Sequence, residues 1–308
     1  MSRARAVVFA YHDVGVRCLK ALLSGEVAVP LVVTVPDDPA ETRWFASVAD
    51  TAAEYGLDVV APADANTAEL ARRIADLQPD FLFSFYYRAM LAAPVLRAAR
   101  RGALNMHGSL LPKYRGRAPV NWAVLRGEHE SGATLHYMVE RADAGDIVDS
   151  QAVPILLDDD AREVFAKVTV AAEMVLVRSL PGLIAGTAQR RPQPILAGQY
   201  FGRRRPEDGR IDWSCSALEI HNLVRAVAPP FPGAFGDVGG ERWQIERTRL
   251  APEILAPRGA WLFAQGQRCY LACGDGAALR LLAARDSHAP VDLAALARRA
   301  AQQPLPLT

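Results

Sequence analysis

The chain has 308 residues, with 35 Lys and Arg against 34 Asp and Glu and a formal net charge of +1 at pH 7. That length buries a large core and suits two domains, and so even a charge balance lacks the overall positive field of a nucleic-acid binder. The apolar run 6–10 is too short for a signal sequence and is interrupted at once by Tyr11-His12-Asp13, no stretch approaches a membrane span, and Cys18, Cys215, Cys269 and Cys273 are few and scattered. A reducing, cytoplasmic setting is the expectation.

In chain order, residues 6–10 read as a strand, 14–23 as a helix, 29–35 as a strand and 42–55 as a helix. A short strand at 59–60, a helix at 67–77, a strand at 81–85 and a strand entering Asn105 continue the alternation, which is that of βαβ units. The expected fold class is α/β, a Rossmann-like doubly wound sheet. A strand at 147–156 and a long helix at 161–180 follow, with Asp158-Asp159-Asp160 at the helix start, where negative charge suits the dipole; the triplet reads as a cap and not as a metal site. Residues 186–199, with Arg190-Arg191-Pro192 and Pro194, have the composition of a linker, and the domain boundary is placed near residue 204, giving domains 1–204 and 205–308. Beyond it come a helix at 217–227, a break at Pro229-Pro230-Phe231-Pro232-Gly233, and short apolar runs at 243–245, 260–264, 269–272 and 279–283 that suit a small barrel. Cys269 and Cys273 have no further Cys or His at a ligand spacing, so no metal is expected. There is no repeat, no P-loop and no Gly-x-Gly-x-x-Gly.

The chemistry-bearing stretch is Asn105-Met106-His107-Gly108-Ser109-Leu110-Leu111-Pro112-Lys113-Tyr114-Arg115-Gly116, followed by Arg141-Ala142-Asp143-Ala144-Gly145-Asp146. Side chains alternate along a strand, so Asn105 and His107 share a side. The glycines and proline that follow turn the chain into a loop at a strand's carboxyl end, where open α/β sheets bind ligands. A carboxylate beside an imidazole orients it and stabilises its protonated form. An amide can donate to an oxygen that becomes negative during acyl transfer. Taken singly, Asn-x-His and an Asp in a glycine-containing loop are mostly structural; the ordered set suits movement of an acyl group to an amine. His129, His136, His221 and His288 have no such setting and read as structural or exposed.

This sequence resembles the folate-dependent formyltransferases, which share Asn-x-His, a Ser-Leu-Leu-Pro segment and a later Asp. The likeness extends over Val7 to Asp13, Phe83 to Arg88, Pro112 to Trp122, Arg141 to Gly145, Phe201 to Arg204 and Ala226 to Phe235. It is strongest to those members that formylate UDP-4-amino-4-deoxy-L-arabinose in lipid A modification and polymyxin resistance. The resemblance implies a C-terminal open barrel of the oligonucleotide-binding type, from which nucleic-acid binding does not follow. It implies His107 as general acid/base, Asn105 as stabiliser of the oxyanion and Asp143 as the group that supports the protonated histidine. It places 10-formyltetrahydrofolate, with no metal, against Ala89, Met90, Leu91, Arg117, Val139, Glu140, Arg141 and Ala142. Where those relatives carry His-Leu-Ile this chain has Ala89-Met90-Leu91, so backbone contacts are expected there. Tyr11, His12 and Asp13 are candidates for contact with the amino sugar, Asp13 alternatively only capping a helix.

Two other activities use the same three residues. A methionyl-tRNA formyltransferase would carry a basic loop after the second strand; here Pro36 to Trp44 is acidic, which would repel phosphates. A formyltetrahydrofolate hydrolase would need water in place of the amine, and the extra C-terminal barrel counts against it. A silent sugar-nucleotide binder would not need Asn105, His107 and Asp143 together. The bifunctional relatives continue into an NAD-dependent decarboxylase, whereas this sequence ends at Thr308, so a separate decarboxylase polypeptide is expected to act upstream.

Overall fold

The computed structural model describes residues 3–36 and 43–308. By internal contacts the chain forms two compact units: one of Met1–Pro119, Glu130–Pro154 and Phe165–Gly202, the other of Val120–His129, Ile155–Val164 and Arg203–Thr308. Two short segments from the first 204 residues thus pack with the C-terminal part of the chain.

The first unit is built on β1 (Arg5–Ala10), α1 (His12–Ser24), β2 (Ala28–Val33), α2 (Val48–Glu54), β3 (Val59–Val60), α3 (Ala68–Asp76), β4 (Phe81–Phe85), α4 (Ala93–Leu96), β5 (Gly102–His107) and a two-residue β6 (Arg115–Gly116). After α5 (Pro119–Leu125) come β7 (Glu130–Tyr137), β8 (Ile147–Pro154), α6 (Ala161–Ala185) and β9 (Tyr200–Phe201). The main sheet runs β3-β2-β1-β4-β5-β7-β8. Its first five strands are parallel, and β7 and β8 add an antiparallel hairpin at the edge. Ala6 to Ala10 of β1 are all fully buried, as a central parallel strand covered on both faces requires. Val7 and Phe9 meet Leu31, Val33, Leu70, Ile74 and Val95 on one face. The doubly wound sheet expected from the alternation is present.

The sequence reading passes over β7, and for a physical reason. Its residues Ser131, Gly132, Thr134 and His136 are small or polar, yet 131–136 are all buried. Hydrogen-bonded on both sides, the strand needs no apolar side chains to be stable, so an apolar-run search does not find it. The helix expected over 42–55 shortens to α2, and Ser47 caps it by accepting from the Asp50 N–H at 3.1 Å. Of the 36–44 segment weighed against tRNA, residues 37–42 lie outside the described residues.

The expectation that nothing approaches a membrane span is corrected by α6. At 25 residues, with mean hydropathy 1.6 over its most apolar window, it has the length and composition to cross one, and half of that window is buried inside the protein. Val164, Val168, Ala172, Val175 and Leu176 are fully buried, while Val170, Met174 and Val177 on the other side are exposed. This is the 3.6-residue period of a helix with one face in a core. At its start only Asp160 of the acidic triplet acts as a cap, accepting from the Glu163 N–H at 2.8 Å; Asp159 accepts from the Leu156 N–H and Asp158 pairs with Arg249.

In the second unit, α7 (Ala217–Val227) is followed by β10 (Ala234–Val238), β11 (Glu241–Leu250), β12 (Trp261–Gln265), β13 (Arg268–Ala272), β14 (Ala278–Arg285), α8 (Leu293–Gln302) and β15 (Leu305–Pro306). The strands run β10-β11-β14-β13-β12-β15. The ends are also joined, by a Val238–Leu307 bridge and by reciprocal backbone bonds between Asp237 and Thr308 at 2.8 and 3.0 Å. The sheet is therefore a nearly closed barrel of the oligonucleotide-binding type.

Candidate active site

The carboxyl edge of the first sheet gathers residues in unusual backbone conformations. His12, Tyr86, Tyr114, Ala118 and Asp143 all have φ between 50° and 67°, a region that costs a non-glycine residue on the order of 1–3 kcal/mol and collects at functional sites. His12 follows β1, Tyr86 follows β4, and Tyr114 and Ala118 lie in the loop that leaves β5.

Asn105 and His107 share a side of β5, and both face Asp143. The Asp143 Oδ1 atom lies 3.5 Å from His107 Nδ1 and 3.5 Å from Asn105 Nδ2. The carboxylate is turned into place by its other oxygen, which accepts from the Gly116 N–H at 2.8 Å. Gly116 has φ +100° and a Cβ there would stand 2.2 Å from the Phe201 carbonyl oxygen, so only glycine fits. The His107 ring nitrogen Nε2 lies 2.8 Å from the Tyr114 carbonyl oxygen. Both ring nitrogens therefore face acceptors, which is the environment of a doubly protonated imidazole.

Burial by itself would raise the Asp143 pKa. The His107 charge and the hydrogen bond from the Gly116 amide act against this and hold the carboxyl well below the usual carboxylate range. The side chain is only 13% exposed, so these partners act with little screening by water.

Two components of this corner escape the sequence reading. His136, set aside as structural or exposed, is 1% exposed and lies with Nε2 3.2 Å from Asn105 Nδ2 and 3.6 Å from Asp143 Oδ1. The register pairs Asn105 with His136 across β5 and β7, which puts both side chains on one face; the signal was available only to a reading that had found β7. The second component is the segment read as a linker. Gln193 donates through Nε2 to the Asp143 and Gly145 carbonyls at 3.2 and 2.5 Å. Phe201 stacks on Tyr114 with centroids 4.9 Å apart, and β9 pairs with β6. Residues 186–201 thus brace both loops of the site.

The other sequence candidates are dispersed. Tyr11 is buried against Phe45 with the Arg88 guanidinium over its ring, and the His12 ring stacks on Phe45 at 4.0 Å and meets Trp44 and Phe165 edge-on. Asp13 does not cap α1; its Oδ1 accepts from the Ala46 N–H at 2.9 Å and ties the loop before α2 to the helix. Ala89, Met90, Arg117, Val139, Glu140 and Arg141 are exposed and Ala142 is half-buried. Leu91 is turned into the core, and the Met90 carbonyl accepts from Asn66 Nδ2 at 2.9 Å. A groove of about 730 Å³ includes Val139, Glu140, Arg97 and Arg190, but its Gly102–Ala103 wall is at the opposite end of β5 from His107. Among the described residues no group of three or more His, Cys, Asp or Glu side chains could hold a metal ion.

An open α/β sheet with an amide, an imidazole and a buried carboxylate at its carboxyl edge defines a group-transfer enzyme. Residues 4–180 match the formyl transferase family and residues 204–300 match its C-terminal domain, so the chain belongs to the formyl transferase family. Among solved structures it is similar to an N-formyltransferase from Helicobacter canadensis in complex with folinic acid and dTDP-3-aminofucose, at 20% identity and TM-score 0.72, covering 91% of this chain and 99% of that one. WlaRD, a sugar 3N-formyltransferase solved with dTDP and 5-N-formyl-THF, gives 19% identity and TM-score 0.72, covering 94% and 99%. A sugar N-formyltransferase from Shewanella sp. FDAARGOS_354 gives 17% identity and TM-score 0.60, covering 76% and 92%. At these identities the likeness is one of fold.

Proposed function

We propose that the protein transfers the formyl group of 10-formyltetrahydrofolate to the primary amine of a nucleotide-linked amino sugar, UDP-4-amino-4-deoxy-L-arabinose being the acceptor that the sequence resemblance favours. The observation that carries this reading is the single oxygen, Asp143 Oδ1, within 3.6 Å of Asn105, His107 and His136. Two relatives of the same fold were solved with formyl-folate compounds and thymidine nucleotides, which supports the donor and the acceptor class together.

The donor supplies an activated formyl carbon when bound. Ala89, Met90, Arg117 and the strip Val139 to Ala142 are the residues proposed to hold it; they fit in being accessible, with the Met90 carbonyl fixed by Asn66. Leu91, buried in the core, contributes through its backbone. Asn105 donates an N–H to the formyl oxygen as it becomes negative. The neutral sugar amine attacks the formyl carbon; as the new C–N bond forms and the bond from the formyl carbon to the folate nitrogen breaks, His107 gives a proton to that nitrogen and takes one from the sugar nitrogen, which bond formation has made positive, leaving its own charge unchanged. Asp143 stabilises the imidazolium form in which His107 begins and ends the exchange, and holds the ring in place. Tyr11, His12 and Asp13 are proposed to meet the acceptor, with the stacked aromatic set around His12 offering a face to an apolar part of it.

The test is a side-by-side formylation assay with 10-formyltetrahydrofolate, giving UDP-4-amino-4-deoxy-L-arabinose or dTDP-3-aminofucose as one acceptor class and methionyl-tRNA as another. Formylated sugar that vanishes in His107→Ala is expected. Formylated tRNA alone would replace the sugar reading, and formate release from the donor without acceptor would point to a hydrolase.

Gly145 closes the Asp143 loop, and a Cβ on it would stand 2.0 Å from the Tyr137 carbonyl oxygen. Because that atom is backbone, Gly145→Ala must move the loop or the end of β7 by about 1 Å to reach ordinary contact. Displacements of this size cost up to about 10²-fold in rate, so turnover about tenfold to a hundredfold lower is expected, with the circular-dichroism spectrum retained. Unchanged turnover would mean that the loop tolerates displacement.

A further inference from the structure

We infer that His136 is a positioning residue for the proposed transfer, and that its ring determines which way the Asn105 amide faces. The inference rests on the formyl-transfer reading above. Nδ1 of His136 lies 2.9 Å from the Tyr137 carbonyl oxygen, and a carbonyl only accepts, so the ring carries its proton on Nδ1. In the neutral ring Nε2 then presents a lone pair, and Asn105 Nδ2 at 3.2 Å donates into it. The second N–H of the same amide extends toward Asp143 Oδ1 at 3.5 Å, longer than an ordinary N–H···O bond.

This asymmetry matters to the chemistry. The two orientations of an asparagine amide have nearly the same shape, so packing does not choose between them and hydrogen bonds must. A reversed amide would set its oxygen against the Nε2 lone pair and the Asp143 carboxylate, acceptor against acceptor on both contacts. With one N–H fixed on His136, the other is held by only a long contact and can turn to a formyl oxygen as negative charge develops there. His136 supplies the anchor and touches no reacting atom. The groups that face its ring are Asn105 from β5, Asp143 from the 138–146 loop and the Tyr137 carbonyl of its own strand.

The test is a double-mutant cycle on the full chain, with 10-formyltetrahydrofolate and whichever of UDP-4-amino-4-deoxy-L-arabinose and dTDP-3-aminofucose is turned over. His136→Phe keeps a ring and removes both nitrogens. It is expected to lower kcat by at least about tenfold while KM for donor and acceptor stays within about threefold, and to cause no further loss when Asn105 is already alanine. His136→Gln, whose side-chain oxygen can accept from Asn105, is expected to recover most of the lost turnover. A similar loss in both backgrounds would assign His136 a merely structural role, and normal turnover in His136→Phe alone would also overturn the inference. Normal turnover in Asn105→Ala would count instead against the formyl-transfer reading itself. ¹⁵N NMR of the histidine rings gives a readout independent of any acceptor: the His136 ring is expected to carry its proton on Nδ1 and to accept at Nε2. A proton on Nε2, alone or in addition, would reverse the Asn105 assignment and overturn the inference.

Discussion

Asp143→Asn is expected to lower formyl transfer by on the order of 10³-fold or more, the upper part of the range for loss of assisted proton transfer. Two losses combine in this one substitution. The negative charge opposite His107 disappears, so the protonated ring loses the partner 3.5 Å away. The replacement amide must present either its oxygen or its NH₂ to the point where Oδ1 now meets Asn105, His107 and His136. If the NH₂ is there, it meets the N–H of Asn105, donor against donor; if the oxygen is there, the NH₂ meets the Gly116 N–H that Oδ2 now accepts from. Neither orientation satisfies both sides. The same variant has a stability signature with a definite sign. The Asp143 pKa is lowered in the folded state, so its contribution to stability is fully present above the unfolded value of about 3.9 and is lost as pH falls through the lower folded value. Asp143→Asn should therefore be the less stable protein at neutral pH, with the difference shrinking below about pH 4. Denaturant titrations at pH 7 and in that acid range check this; a difference that grows on acidification would place the carboxyl's pKa above, not below, its usual range.

How much of this corner was legible in the sequence follows from what each residue needs. Asn105, His107 and Asp143 stand out chiefly through the family resemblance, which a strand of period 2 and a glycine-containing loop, both local features, make readable at those positions. The doubly wound order is equally local, since runs such as 6–10 and 81–85 can only be central buried strands. His136 was invisible for a different reason. Its strand is buried through backbone pairing and not through apolar side chains, and its meaning comes from a register with residues 31 positions away. Gln193 and Phe201 are further still from what they brace, and arginines and prolines next to them give their segment the composition of a connection. Alanine-rich α8 and the glycine-interrupted β10 were missed likewise, as each is fixed by what it packs on. Helix α6 shows the opposite error: an amphipathic reading of 161–180 caught the helix but overlooked how apolar its exposed side also is.

Asn105→Ala is expected to lower turnover by on the order of 10²- to 10³-fold, as removal of one oxyanion donor does. The side chain sits inside the sheet, so the loss must be separated from a folding defect. Removing the amide leaves His136 Nε2 without the N–H it accepts, a buried polar atom whose loss of a partner costs about 1–3 kcal/mol. That is a substantial part of a domain's stability but leaves it folded, so the variant should melt lower and still give single-turnover kinetics. If the amide acts only when charge develops on the formyl oxygen, kcat and kcat/KM fall together while donor affinity, read by fluorescence titration with 5-formyltetrahydrofolate, changes little. Asn105→Asp sharpens the reading, because it keeps the shape, removes both donors and adds a second negative charge within 3.5 Å of Asp143 Oδ1. It should be at least as slow as Asn105→Ala, since a carboxylate at that point repels the charge that an amide would stabilise. A turnover near that of the unaltered protein in Asn105→Ala would remove the amide from the reaction, and the corner would then be a histidine and carboxylate pair with no donor for the oxyanion.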